Sequence, residues 1–207
     1  MIKSVIFDFD GTLADSRLVF LSVFNQLAAK HGFRKVDVEE MEFLRKLSMM
    51  ERIKHLNFPM HKIPASSAEF YELYNQALGD VTMVPGIAEL LSEVNSRGYR
   101  SAIISSNSKK NVEAFLSRNR LHHMEEIICS NRLFGKDRHI KSYLKKNGMA
   151  KEEVIYVGDE ARDIAACRKC GIKIIWVGWG YDAREAAEKE KPDFMVFHPK
   201  DILTVLN

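Results

Sequence analysis

Ser4-Val5-Ile6-Phe7-Asp8-Phe9-Asp10-Gly11-Thr12-Leu13 is the stretch on which the fold turns. Its first residues are apolar in succession rather than in alternation, which suits a strand covered on both faces. The apolar run then stops abruptly at an acidic pair. In an extended chain residues two apart point the same way, so Asp8 and Asp10 should project together from the carboxyl end of the strand. Gly11 would turn the chain away at once and leave both carboxylates open to a ligand. Open α/β sheets place their ligands at that end.

Comparable runs recur down the chain at Ser101-Ala102-Ile103-Ile104, Glu126-Ile127-Ile128-Cys129, Val154-Ile155-Tyr156-Val157, Lys173-Ile174-Ile175-Trp176-Val177 and Phe194-Met195-Val196-Phe197. Helical periods lie between them: Val112, Phe115 and Leu116 after a Ser108 cap, Ile140, Tyr143 and Leu144 before Gly148, Ile164 and Cys167 before Gly171. The pattern predicts an α/β fold, a Rossmann-like doubly wound parallel sheet inside helical layers. One connection is too long. About ninety residues separate the first strand from the second, where a parallel crossover needs about a dozen or somewhat more. The excess predicts an inserted all-helical domain over 15–80, with the core made of 1–14 and 81–207. Within the insertion Leu18, Leu21, Phe24, Leu27 and Ala28 mark one amphipathic helix, Phe43, Leu47, Met50 and Ile53 a second, and Phe70, Leu73, Tyr74 and Ala77 a third. The chain should re-enter the core at Val84-Pro85-Gly86, with the proline in the first turn of the next helix.

Composition narrows the function. The 207 residues are 46% hydrophobic and 29% charged, with a net charge of only +3. That balance fits a folded globular chain and gives no reason to expect nucleic acid or an anionic membrane as a partner. Met1-Ile2-Lys3-Ser4 runs straight into a strand, and no apolar segment approaches the roughly 20 residues that span a bilayer. A soluble, cytoplasmic protein with reduced cysteines is expected. Cys167 and Cys170 have redox-like spacing but close a helix rather than open one, so thiol chemistry is not expected there.

Three further segments carry chemistry. Ser105-Ser106-Asn107-Ser108 joins a strand to a helix start, where hydroxyls and free N–H groups suit an anion such as phosphate, although Ser and Asn are also ordinary caps. Phe134-Gly135-Lys136-Asp137 sets a lysine in a glycine-preceded loop ahead of a helix. Val157-Gly158-Asp159-Glu160-Ala161-Arg162-Asp163 ends a strand in a glycine turn and an acidic cluster, with Asp159 and Asp163 four apart and able to share a helix face. Acidic oxygens without nearby His or Cys favour a hard ion such as Mg²⁺.

In this order the four segments resemble the four motifs of the haloacid dehalogenase superfamily of phosphatases. The helical insertion is similar to the cap of the phosphoglycolate phosphatase and β-phosphoglucomutase branch. The resemblance implies a Mg²⁺-dependent phosphatase that hydrolyses a small phosphorylated metabolite through an aspartyl-phosphate. It makes Asp8 the nucleophile and Asp10 the acid and base. It places Mg²⁺ on Asp8, the Asp10 backbone carbonyl and Asp159, with Glu160 and Asp163 supporting them. Ser106, Asn107 and Lys136 would hold the phosphoryl group, and Arg45, Lys46 and Ser48 in the cap would contact the rest of the substrate. The second aspartate argues against dehalogenation, because a halide needs no proton to leave. A sugar phosphomutase shares the same motifs, and a regulatory or binding protein on the same fold is the alternative from another class.

Overall fold

A computed structural model describes residues 1–59, 62–122, 124–130 and 135–206, with the backbone alone considered at 63–65. Phe134, from the lysine segment, lies outside them.

Six parallel strands form the sheet: β1 (Ser4–Phe7), β4 (Arg100–Ser105), β5 (Glu126–Cys129), β6 (Val154–Gly158), β7 (Lys173–Val177) and β8 (Phe194–Val196). Their order is β5-β4-β1-β6-β7-β8, with β1 at the centre, hydrogen-bonded to β4 and β6. The register aligns Phe7 with Ile103 on one side and with Val157 on the other. The ends of these three strands therefore bring Asp8, the Ser105–Ser108 turn and Asp159 to one edge of the sheet.

Alternation along β1 assigns its side chains to two cores. Val5 and Phe7 join the cluster that also holds Ile87 and Leu90 from α5 (Ile87–Ser96), Val112 and Phe115 from α6 (Lys109–Arg118) and Ile202 from α10 (Ile202–Leu206). Ile6 faces the opposite way, with Ile140 and Tyr143 from α7 (Lys136–Asn147), Ile164 from α8 (Ala161–Cys170) and Ala187 from α9 (Arg184–Glu190). The Ser108 side chain caps α6 at Asn111 N, 3.2 Å away. Gly148 and Gly171 end α7 and α8 in the left-handed conformation. Pro85 does not enter the first turn of α5: Gly86, with φ of 89°, is the residue that starts it.

The chain leaves and re-enters this core through a short antiparallel pair, β2 (Ala14–Asp15) and β3 (Thr82–Met83). Between them lie α1 (Arg17–His31), α2 (Met41–Arg45), α3 (Met49–His55) and α4 (Ile63–Gln76). Two sequence expectations fail here. Leu18 is exposed and Leu21 and Phe24 are half-buried; α1 buries Leu27 and Ala28 as expected, with Val19 and Val23 in place of the others. The helix expected from Phe43 to Ile53 is two helices, because Ser48 and Glu51 form a capping box that starts α3 afresh. Among the described residues no helix is long and apolar enough to cross a membrane.

Candidate active site

Asp8 follows β1 and is almost fully buried. One carboxylate oxygen accepts the Phe9 amide at 2.8 Å, and the other accepts Lys136 Nζ at 2.5 Å. Lys136 opens α7 immediately after Gly135, whose φ of 108° is open only to glycine without strain. Its ammonium also donates to Asp163 Oδ1 at 2.6 Å. Burial draws the lysine pKa down, but Asp163 and Asp8 together hold it above the usual range. Burial raises Asp8 to about 7 against the pull of Lys136, with Asp163 and Glu160 adding to the rise.

Asp10 is the second carboxylate. The Tyr74 hydroxyl, from α4, donates to Asp10 Oδ1 at 2.6 Å, and Asn107 Nδ2 donates to Oδ2 at 2.8 Å. Burial raises its pKa, and hydrogen bonds from Tyr74, Ser16 and Asn107 oppose the rise. A carboxyl group with a raised pKa is suited to donating a proton.

Asp8, Glu160 and Asp163 each offer an oxygen within 4.8 Å of the others, all three residues buried. Asp159 is turned elsewhere. It accepts the Thr12 hydroxyl at 2.8 Å and the Tyr181 amide at 2.6 Å. The backbones of Gly11 and Gly180 press so closely on it that a Cβ on either would lie 2.2 Å from Asp159 Oδ2. Burial, then the charges of Glu160, Asp8 and Asp163, hold its carboxyl well above the usual range. Five carboxyl groups, from Asp8, Asp10, Asp159, Glu160 and Asp163, thus outnumber the cations that act on them among the described residues, Lys136, Arg162 and Arg52, the last already paired with Asp182. A buried excess of negative charge and an all-oxygen donor set fit a hard divalent cation.

Residues 5–177 match the family model of haloacid dehalogenase-like hydrolases. The chain belongs to this family. It is 31% identical over 206 residues to the phosphoglycolate phosphatase of Synechococcus elongatus, spanning 97% of this chain and 95% of that protein. It is 26% identical to the pyrophosphatase PpaX of Bacillus cereus, over 100% of this chain and 97% of the relative. A haloacid dehalogenase-like hydrolase structure from Streptococcus pneumoniae has the same fold, with a TM-score of 0.83 at 21% identity, over 100% of this chain and 99% of that one.

Within this haloacid dehalogenase-like enzyme the residues expected to bind phosphate divide. Ser106 lines the cavity in front of Asp10, whereas the Ser105 hydroxyl sits beneath the loop, accepting Asn107 N at 3.0 Å. The Asn107 side chain is committed to Asp10, Ser108 N and Asn111 rather than to an incoming anion. Of the three expected cap contacts, Arg45 lines the cavity; Lys46 pairs with Glu185 at 3.4 Å, and Ser48 caps α3. Sequence reasoning missed Tyr74, Tyr71 and Arg162. Tyr74 was assigned to an apolar helix face, which is correct for its ring and silent about its hydroxyl. Tyr71 donates to the Ser106 carbonyl, and Arg162 pairs with Glu160 and lies 3.3 Å from Ser106 Oγ.

Proposed function

We propose that the chain is a Mg²⁺-dependent phosphatase that hydrolyses a small phosphate monoester through a phosphoryl group carried on Asp8. The observation that carries this reading is the buried arrangement of Lys136 between Asp8 and Asp163, with Asp10 held beside it. A monoester is anionic and resists an anionic nucleophile, so the site needs positive charge on the phosphoryl oxygens and an aligned attacking oxygen. Lys136 supplies a fixed charge at the nucleophile, and Ser106 offers a neutral donor from the next strand end.

Asp8 Oδ attacks phosphorus, and the P–O bond to the alcohol breaks. Asp10, protonated beforehand, gives its proton to the departing oxygen. The resulting carboxylate then takes a proton from the water that attacks the aspartyl-phosphate, which releases inorganic phosphate and restores Asp8. Tyr74 and Asn107 hold Asp10 in place through both steps. Asp8, the Asp10 carbonyl and Asp159 are the groups that would hold Mg²⁺, with Glu160 and Asp163 beside them. The ion would lend its charge to the phosphoryl oxygens. Residues 15–80 form the cap, which covers the strand ends and excludes water from the intermediate. A soluble, cytoplasmic enzyme acting on a metabolite is the setting this chemistry fits.

Phosphate release from a panel of esters, with and without Mg²⁺, tests the reading. The native protein should turn over only with the metal, and Asp8→Asn should fall by about 10³-fold or more. Unchanged turnover in Asp8→Asn rejects the nucleophile. Asp159→Asn should raise the Mg²⁺ concentration for half-maximal rate by about 10- to 100-fold. An unmoved requirement there, with a shift in Glu160→Gln, would transfer the ligand role to Glu160.

A further inference from the structure

The catalytic end opens into a cavity of about 280 Å³ that runs between the cap helices. This is close to the low end of the ~300–1,000 Å³ of small-molecule pockets. Most of the exposed wall is apolar, with Phe20, Leu21, Phe24, Leu44, Ile53 and Phe58 on it. None of these six is fully buried, so the helices leave apolar surface facing the chamber even where rings meet, as Phe20 meets Phe70 and Phe24 meets Phe58.

Charge in the wall tells the same story. Four arginines line the cavity, and each is paired to a carboxylate of this chain: Arg17 to Asp15, Arg45 to Glu42, Arg52 to Asp182 and Arg162 to Glu160. No lysine lines it. A substrate with a second anionic group beyond the phosphate would set that group against aromatic and aliphatic walls, without an uncommitted cation to compensate its lost hydration. Arg45 Nε is, among the described lining residues, a buried donor without an acceptor. It suits a single neutral oxygen on an otherwise apolar body.

We infer that the leaving group of the substrate is an apolar alcohol or phenol, seated in the chamber between α1, α2 and α3, rather than a short hydroxy acid or a second phosphate. The inference rests on the phosphatase reading above and names the substrate class of the same site.

The test is kcat/KM for phosphate release from ethyl, butyl and hexyl phosphate and from phosphoglycolate, with Mg²⁺ present. Each added methylene should raise kcat/KM about threefold to fourfold, the equivalent of ~0.8 kcal/mol per buried CH₂. Hexyl phosphate should then exceed phosphoglycolate by about tenfold or more. Phe24→Ser and Ile53→Ser should each flatten the chain-length series. A flat series in the native protein overturns the inference, as does a preference for phosphoglycolate that Arg45→Ala abolishes. Calorimetric binding of hexylphosphonate and methylphosphonate to the Mg²⁺-loaded protein reads the chamber without turnover. If every ester is inert the phosphatase reading fails, yet an affinity ratio of about tenfold or more for the longer phosphonate still supports an apolar chamber. Equal affinities reject it.

Discussion

The sheet and the helical insertion use similar residues to different ends. Every residue of β1 and β6 is buried, and the aromatic and branched side chains between the sheet and its helices pack into two continuous clusters. In the insertion α2 and α3 bury no residue completely, and Met41, Leu44, Met49 and Ile53 on them face a cavity. The insertion meets the core through apolar residues of α1 and α4, Val19, Val23 and Tyr74, which join the larger cluster, and through polar contacts. Tyr74 reaches Asp10, Tyr71 reaches the Ser106 carbonyl, Asn75 reaches Asn111, and Arg52 reaches Asp182. Burial on both faces fixes one arrangement; α2 and α3, which bury no residue and border a cavity, can shift without losing a core. On the function proposed above, the reacting groups would sit on the rigid part and the selection of substrate would fall to the more open one.

Truncation should expose the contrast most strongly. Phe7 is wholly buried at the end of β1, and Phe7→Ala should cost about 3–5 kcal/mol. Phe24 is only half-buried, with its ring 6.2 Å from that of Phe58, and Phe24→Ala should cost about 1 kcal/mol. Urea unfolding followed through Trp176 and Trp179 measures both. Equal losses would mean that the insertion is packed as tightly as the sheet, and the contrast would be lost.

What could be read from the sequence follows the same division. The strands were legible because two-sided burial demands runs such as Val154-Ile155-Tyr156-Val157, and the acidic pair at Asp8 and Asp10 was legible because it interrupts one. Lys136 was found through its glycine, and the structure shows why the glycine is there: the lysine begins a helix from a backbone conformation other residues resist. The insertion was less legible. An apolar residue on a helix facing a cavity or solvent obeys no burial rule, so Leu18 misled. The break after Arg45 had a signal, Ser48 followed by Glu51, that the apolar spacing overrode. The partners of Asp10 could not be read at all, because Tyr74 lies 64 positions away and its hydroxyl leaves no mark on hydrophobic periodicity. The exchange of neighbours between Asp159 and Glu160 depends on Thr12 and Tyr181, which lie on other segments.

A smaller effect than the loss of Phe7 concerns the tie itself. Arg52 of α3 donates to the Leu44 carbonyl at 2.7 Å and pairs with Asp182, whose other oxygen accepts Ala161 N at 2.6 Å at the start of α8. Burial pushes the Asp182 carboxyl up to about 6, outweighing the attraction of Arg52. The folded protein therefore holds this proton more tightly than the unfolded chain does, whose aspartates titrate near ~3.9. Between those values the folded state binds the extra proton, so the contribution of Asp182 to stability falls as pH rises through the window and is lowest above the folded pKa. Asp182→Asn cannot take up that proton. Urea unfolding of both proteins should show the native chain gaining on the variant, by on the order of 2 kcal/mol, as pH is lowered from about 7 to about 4.5. The opposite slope would mean that attraction to Arg52 outweighs burial. Ionisation would then tighten the tie between cap and core, and the insertion would be held to the sheet by charge more firmly than its open interior suggests.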